Sequence, residues 1–167
     1  FNGYAETLRD LGRLEDALTA YTEAQRRFPN KPVAFNGYAE TLRDLGRRDE
    51  ALAAYDTAIA DFPHDRVALN AKASLLVERG EYAEARAMLP CEAPQTYDDW
   101  RDYHVVAMSY LREGSFAAAR ERLRYGAEHA PFRDVALAYR SALGMLAIRE
   151  RDFQEAVQQL ADAPDSN

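Results

Sequence analysis

The thirteen residues FNGYAETLRDLGR stand at 1–13 and stand again, unchanged, at 35–47, an offset of 34 residues. The same offset relates other positions whose surrounding sequence differs. Four glycines keep it, Gly12, Gly46, Gly80 and Gly114, and four alanines follow them five residues later, Ala17, Ala51, Ala85 and Ala119. A fixed period of this length is typical of one structural unit that is copied and stacked, so the repeat predicts the fold.

Residues 34–62 show what one unit contains. Apolar residues at helical spacing predict a first helix, which ends at Gly46 because glycine adopts positive φ readily. A second apolar stripe predicts a second helix, with Asp49 and Glu50 in its first turn and Pro63 after its end. Two helices of about 12–14 residues joined by a tight turn form a helical hairpin, which buries its outer face only against neighbouring hairpins.

This unit, with its turn glycine, small alanine, aromatic residues and closing proline, resembles the tetratricopeptide repeat. In that family's pattern Gly46 is the turn glycine, Ala51 the small residue of the second helix and Pro63 the terminal proline, while Phe35 replaces a tryptophan. The resemblance implies an all-α, right-handed superhelical solenoid of stacked antiparallel helix pairs. It covers nearly the whole chain as a single array of about five repeats, at about 1–31, 32–65, 66–99, 100–133 and 134–163.

The third repeat departs from the pattern at its end. Pro90 and Pro94 predict a loop where the family would continue the helix. Thr96 followed by Asp99 predicts a capping box, so the next helix should begin directly after Thr96.

The fifth repeat departs in length. Its turn falls at Arg151, which is 37 residues after Gly114 and takes the place of the glycine. Three extra residues therefore lie either in the first helix of this repeat or just before it. A last helix is predicted at 152–162.

The net charge of −7 is unevenly distributed, with −6 over residues 1–99, +3 over 100–151 and −4 over 152–167. An acidic body argues against nucleic acid as the main partner, because phosphate backbones favour clustered Lys and Arg. No apolar run is long enough to cross a membrane. We expect a cytoplasmic protein that does not bind membranes.

Catalysis and metal binding are not expected. The single cysteine provides neither a disulfide framework nor zinc-ligand spacing. The three histidines lie in different predicted elements, and the chain has no glycine-rich phosphate loop and no nucleophile elbow. The sequence therefore predicts a non-catalytic protein without cofactors.

The family resemblance implies that the first helices line a concave groove that binds a peptide or a partner segment. The 34-residue offset aligns Asn2, Asn36, Asn70 and His104 in one row of these helices. An Asn amide offers a donor and an acceptor, so such a ladder could hold an extended backbone; alternatively, the Asn is a solvated residue copied by duplication. The predicted binding residues on the concave face are Asn36, Glu40, Arg43, Asn70, Ser74, Arg101, His104, Met108 and Arg112.

Three residues near this row have two interpretations. Gly3 and Gly37 permit the close approach either of a ligand backbone or of an adjacent helix. Trp100 either anchors a ligand or fills the space left by the shortened third repeat.

Two further hypotheses stay open. The chain begins inside a repeat without an initiator Met, so we expect it to be a piece of a longer protein. The repeats would then serve as a sensor or regulatory arm of a larger enzyme or signalling ATPase. A third function is self-association through apolar residues of the N-terminal repeat, namely Phe1, Tyr4 and Leu8.

Overall fold

The computed structural model describes residues 2–89 and 93–151, and these residues form nine α-helices and no strand. The helices are α1 (Asn2–Asp10), α2 (Leu14–Arg27), α3 (Pro32–Asp44), α4 (Arg48–Asp61), α5 (Arg66–Arg79), α6 (Tyr82–Met88), α7 (Tyr97–Glu113), α8 (Phe116–His129) and α9 (Arg133–Arg149). The predicted all-α class of stacked helix pairs is confirmed. The helix predicted at 152–162 and the lone Cys91 lie outside the described residues.

The turn inside each hairpin has the predicted geometry. Gly46 adopts a φ of 74°, and the Arg47 N–H beyond it donates to the Leu42 carbonyl at 3.0 Å. This bond closes α3 and turns the chain back at once into α4. Asp49 and Glu50 lie in the first turn of α4, as predicted, where the helix dipole favours anions.

The predicted capping box at the start of α7 is confirmed. The Asp99 N–H donates to the Thr96 hydroxyl at 3.2 Å, and the Thr96 N–H donates to the Asp99 carboxylate at 3.0 Å. Two backbone donors that lack partners within the helix are thereby satisfied, so α7 begins cleanly after the irregular segment that precedes it.

The delayed turn of the fifth repeat is confirmed at Arg151, whose φ is 62°. Helix α9 has 17 residues, against 14 in α5. Val135 in the first turn of α9 lies 68 residues, or two periods of 34, after Val67 of α5. The extra residues therefore lengthen the helix itself rather than the segment before it.

The chain divides into two compact units, Phe1–Leu75 and Leu76–Asn167. In the first unit α1 packs on α2, α2 on α3 and α3 on α4, while α1 also reaches α3. Ala39 and Ala51, at the two small positions of the second repeat, are both fully buried. Methyl groups at these places let the helices approach closely, and the ring of Tyr55 fills the space beside them.

In the second unit α7 packs on α6, α8 and α9, and α8 packs on α9. The core is an aromatic and aliphatic cluster built around Trp100, Tyr103, Leu123, Tyr139 and Leu143. Trp100 is only 4% exposed, and its ring makes an edge contact with Tyr139 at a centroid distance of 6.3 Å. Trp100 is therefore a packing residue in this structure, the second of the two interpretations of this side chain.

Candidate partner-binding surface

The first unit carries the predicted polar row on one side of α3 and α5. Residues three or four apart lie on the same side of a helix, so each of these helices presents one continuous stripe. We call these two stripes the first-helix face, which consists of Val33, Asn36, Glu40 and Arg43 on α3, and of Val67, Asn70 and Ser74 on α5.

Asn36 is held in one orientation by a neighbouring loop. Its Nδ2 donates to Oδ2 of Asp65 at 2.6 Å, and Oδ1 of the same carboxylate accepts the Val67 N–H at the start of α5 at 3.2 Å. A carboxylate only accepts hydrogen bonds, so chemistry fixes which amide atom faces Asp65. Asn36 is 7% exposed, and its Oδ1 is buried without a hydrogen-bond donor.

Glu40 is paired across the hairpins. The Arg9 guanidinium of α1 donates to the Glu40 carboxylate, and Arg9 Nε lies 3.6 Å from Oδ2 of Asp44. All three side chains keep partial solvent contact, so the pairs are screened and each is worth less than about 1 kcal/mol. Arg43, one turn beyond Glu40, is half-buried.

Asn70 and Ser74 continue the row on α5. Asn70 is 7% exposed, like Asn36. The Ser74 hydroxyl donates to the Asn70 carbonyl at 2.9 Å, so this hydroxyl is engaged with its own helix. A Ser hydroxyl retains acceptor capacity while it donates.

Two apolar side chains missed by the sequence analysis stand exposed on the first-helix face. Val33 is 57% exposed and Val67 41% exposed, at equivalent positions of α3 and α5. Each lies three residues before one of the buried asparagines. The pairs Val33-Ala34 and Val67-Ala68 keep the 34-residue offset, but the offset alone does not separate a solvent-facing valine from a core valine.

In the second unit the predicted residues lie on α7. Arg101 and Arg112 are exposed, whereas Met108 is half-buried and packs against the aromatic cluster. The Arg112 carbonyl accepts a hydrogen bond from the Tyr82 hydroxyl at 3.3 Å. Only the two arginine side chains therefore extend from this helix into solvent as the sequence analysis expected.

His104 sits against α9. Its ring makes an edge contact with Tyr139 at a centroid distance of 5.0 Å, and Nε2 is buried without a hydrogen-bond partner. Burial lowers the pKa of His104 below its usual value, although a hydrogen bond to the backbone of Ala138 acts in the opposite direction. The imidazole is therefore neutral at physiological pH.

An aromatic stack lies near α7 and was not predicted. The Tyr125 ring is stacked on Trp100 at a centroid distance of 5.8 Å and on His129 at 4.4 Å. Tyr125 is 40% exposed, so one edge of the stack reaches solvent. Residues 125 and 129 lie one turn apart on α8, and only the packing of α8 on α7 brings them to the tryptophan.

Gly37 shows what the helical glycines do. A Cβ built on Gly37 would lie 2.3 Å from Cε1 and Cζ of Tyr21, whereas a Cβ on Gly3 would meet nothing within 4 Å. At Gly37 the missing side chain makes room for an adjacent helix, which is the second of the two interpretations. Gly3 has the same local sequence but an open surface.

Within residues 2–89 and 93–151, no three His, Cys, Asp or Glu side chains gather in a way that could hold a metal ion. In the same part of the chain, no helix has the length and apolarity needed to span a bilayer.

The fold and this surface define a helical-repeat protein of the class that acts in protein–protein interaction. The tetratricopeptide repeat family model matches residues 8–75 and 42–95, which together span 88 of the 167 residues. The chain therefore belongs to the tetratricopeptide repeat family, whose members are typically non-catalytic scaffolds for protein or peptide partners. No curated protein matches the sequence.

Solved structures of other repeat proteins share the fold. PilF of Pseudomonas aeruginosa is 20% identical with a TM-score of 0.76, and the match covers 99% of this chain and 76% of that one. A tetratricopeptide repeat protein of Thermus thermophilus is 22% identical with a TM-score of 0.70, covering 96% and 86%. YrrB, described as having an unusual peptide-binding site, is 17% identical with a TM-score of 0.61, covering 96% and 81%.

Proposed function

We propose that this chain is a non-catalytic scaffold that binds an extended peptide or partner segment across the groove formed by its first helices. The residues assigned to this contact are those predicted from the sequence, Asn36, Glu40, Arg43, Asn70, Ser74, Arg101, His104, Met108 and Arg112, together with Val33 and Val67. A cytoplasmic location and the absence of nucleic-acid and membrane partners stay predictions.

The observation that carries the proposal is the pair of exposed valines. Val33 and Val67 occupy equivalent positions on α3 and α5, and each is about half exposed beside a buried asparagine. Apolar contact from such side chains supplies binding free energy, while polar groups at a fixed interval set the register of the bound segment.

One polar group of the first-helix face has hydrogen-bonding capacity that the structure does not use. Asn36 uses its donor on Asp65, which leaves the buried Oδ1 as an acceptor without a donor. A buried polar atom without a partner costs about 1–3 kcal/mol. Because this oxygen has almost no accessible surface, a donor of the bound segment reaches it only if the Asn36 side chain turns outward.

His104 adds a second buried polar atom without a partner in the other unit. Its Nε2 is buried without a partner, and the lowered pKa keeps the ring neutral. With Arg101 and Arg112 exposed on the same helix, α7 favours a segment that carries an acidic side chain.

The experiment selects binders from a displayed library of random peptides on the purified chain and measures their affinity by fluorescence anisotropy. Asn36→Ala is a poor probe, because Asn36 also holds Asp65 in place. The double variant Val33→Ser with Val67→Ser should weaken binding about ten-fold, since two half-exposed apolar side chains lose their contact.

The matched control is Ala53→Ser with Ala60→Ser, because both alanines are exposed on α4, a second helix. Circular dichroism should be unchanged in both variants. Equal affinity of the selected peptides for the face variant and for the control variant would refute the assignment of the first-helix face, and so would a selection that yields no binder.

A further inference from the structure

Arg9 and Arg43 occupy equivalent positions of the two identical segments, but they have different partners. The Arg9 guanidinium of α1 donates to the Glu40 carboxylate of α3, which lies 31 residues further along the chain. The residue 31 positions after Arg43 is Ser74 of α5. The third repeat therefore has a hydroxyl at the position where the second repeat supplies a carboxylate.

The Ser74 hydroxyl does not replace that carboxylate. It carries no charge, and it donates to the Asn70 carbonyl of its own helix at 2.9 Å. Among the residues that the structure describes, no carboxylate lies within ion-pair distance of the Arg43 guanidinium. Arg43 is therefore a cation without an internal partner, although the equivalent arginine of the first repeat has one.

The Arg43 side chain lies against the core of the first unit. It is half-buried, and Tyr55 of α4 is fully buried. Burial raises the pKa of the Tyr55 hydroxyl, and among the neighbouring charges Arg43 opposes this rise most strongly, so the guanidinium lies close to that hydroxyl. Water screens a charge beside an apolar core less than it screens an exposed charge, which strengthens the attraction between Arg43 and a carboxylate.

The two carboxylates nearest to Arg43 in sequence are bound to Arg9. Glu40, one turn earlier on α3, accepts from the Arg9 guanidinium, and Oδ2 of Asp44 lies 3.6 Å from Arg9 Nε. Two arginines and two carboxylates leave no net charge at this place. A ligand carboxylate is therefore attracted to Arg43 by local contact and not by a long-range field.

We propose that Arg43 binds the carboxylate of an acidic side chain of the partner segment, in the way that Arg9 binds Glu40. This inference rests on the proposed function and specifies the chemistry of its ligand. Residues 33 and 43 are ten positions apart on α3, which is about 15 Å along a helix. An extended chain covers this length in about four or five residues. The segment therefore carries an apolar residue at Val33 and an Asp or Glu about four or five positions away.

The binding experiment uses peptides that are selected on the parent chain from a displayed random library and then synthesised with acetylated and amidated ends. The selected peptides should contain an Asp or Glu at the stated spacing. In fluorescence anisotropy, Arg43→Gln should weaken their binding about ten-fold, and so should the exchange of the acidic residue for its amide. Both changes together should weaken binding no more than either change alone. The matched control is Arg48→Gln, which removes an exposed arginine from α4.

A second variant places the missing carboxylate inside the chain. Ser74→Glu gives α5 the residue that Glu40 provides on α3, so the new side chain should occupy Arg43. Ser74→Gln is the matched variant of the same size without the charge. The selected peptides should bind Ser74→Glu about ten-fold more weakly than they bind Ser74→Gln.

Thermal unfolding of the same variants provides a measurement that needs no peptide. Ser74→Glu should melt about 1–3 °C above Ser74→Gln, because the pair with Arg43 forms. In an Arg43→Gln background the two variants should melt at the same temperature. Equal melting temperatures in the parent background would overturn the inference, because Arg43 would then not be placed to receive a carboxylate.

The other outcomes separate this inference from the proposed function. Selected peptides that lose affinity for Val33→Ser with Val67→Ser but bind Arg43→Gln as tightly as the parent chain would support the groove and overturn the role of Arg43. Binding that requires a free C-terminal carboxylate would also overturn it, because the site would then hold a chain end. A selection without any binder would refute both proposals.

Discussion

The two identical segments allow one substitution to be tested in two environments. In Gly37→Ala the new Cβ would lie 2.3 Å from the Tyr21 ring, more than 1 Å inside the 3.4 Å at which ordinary contact begins. Tyr21 is 3% exposed and packed on all sides, so the ring has no free space to enter. Overpacking of this kind costs about 1–3 kcal/mol, and the better helix propensity of Ala returns up to about 1 kcal/mol.

Gly3→Ala carries the same propensity gain without the collision, because nothing lies within 4 Å of its Cβ. We therefore expect Gly37→Ala to lower the free energy of unfolding by about 1 kcal/mol and Gly3→Ala to raise it slightly, a separation of roughly 1–3 kcal/mol between variants with the same local sequence.

Urea unfolding followed by far-ultraviolet circular dichroism measures both variants. A third protein, Gly37→Ala in a Tyr21→Leu background, completes a double-mutant cycle. The cycle should show that Gly37→Ala ceases to destabilise once the ring is gone. The reasoning is refuted if Gly37→Ala and Gly3→Ala have the same effect, or if the loss at Gly37 persists without the tyrosine.

Three other predictions concern single residues. Asn36→Ala should lower the free energy of unfolding by about 1 kcal/mol because it removes the bond to Asp65, whereas Asn2→Ala should change it little; equal losses in a urea titration would contradict this. Burial lowers the pKa of His104 from its usual 6.5, so the unfolded chain binds a proton at a higher pH than the folded chain does. The free energy of unfolding should therefore decline as the pH falls below about 6.5. His104→Phe should flatten this part of the pH–stability profile, and a profile identical to that of the parent chain would exclude the mechanism. Arg151→Gly should raise the melting temperature, with a gain of about 0.5–1 kcal/mol, since a non-glycine residue at a φ of 62° is strained; a lower melting temperature would show that the arginine side chain contributes more than the strain removes.

Local signals in the sequence were sufficient for much of the fold. The turn at Gly46 and the capping box at Thr96 depend only on residues a few positions away, so their geometry follows from the local sequence. Even the non-glycine turn at Arg151 was predictable, because the surrounding repeat required a turn there. The repeat period supplied the stacking of hairpins that no single segment specifies.

The environment of each side chain on the candidate surface was not predictable in the same way. Asn2 and Asn36 have identical neighbours in sequence, yet only Asn36 meets a carboxylate, because the residue 29 positions later is Asp65. The corresponding residue of the first repeat is Lys31. Likewise, the pairing of Glu40 depends on Arg9 in another hairpin. Such contacts depend on which side chains the neighbouring helices and loops carry, and a period of 34 residues does not specify these side chains.

The burial of Trp100 has a practical result for spectroscopy. It is the only tryptophan of the chain, and it lies in the core of the unit Leu76–Asn167. Its fluorescence changes when the stack with Tyr125 opens to water and so reports the melting of that unit alone, while the ellipticity of the helices reports both units. Comparing the two signals along one titration reveals whether the halves of the molecule unfold together or one after the other.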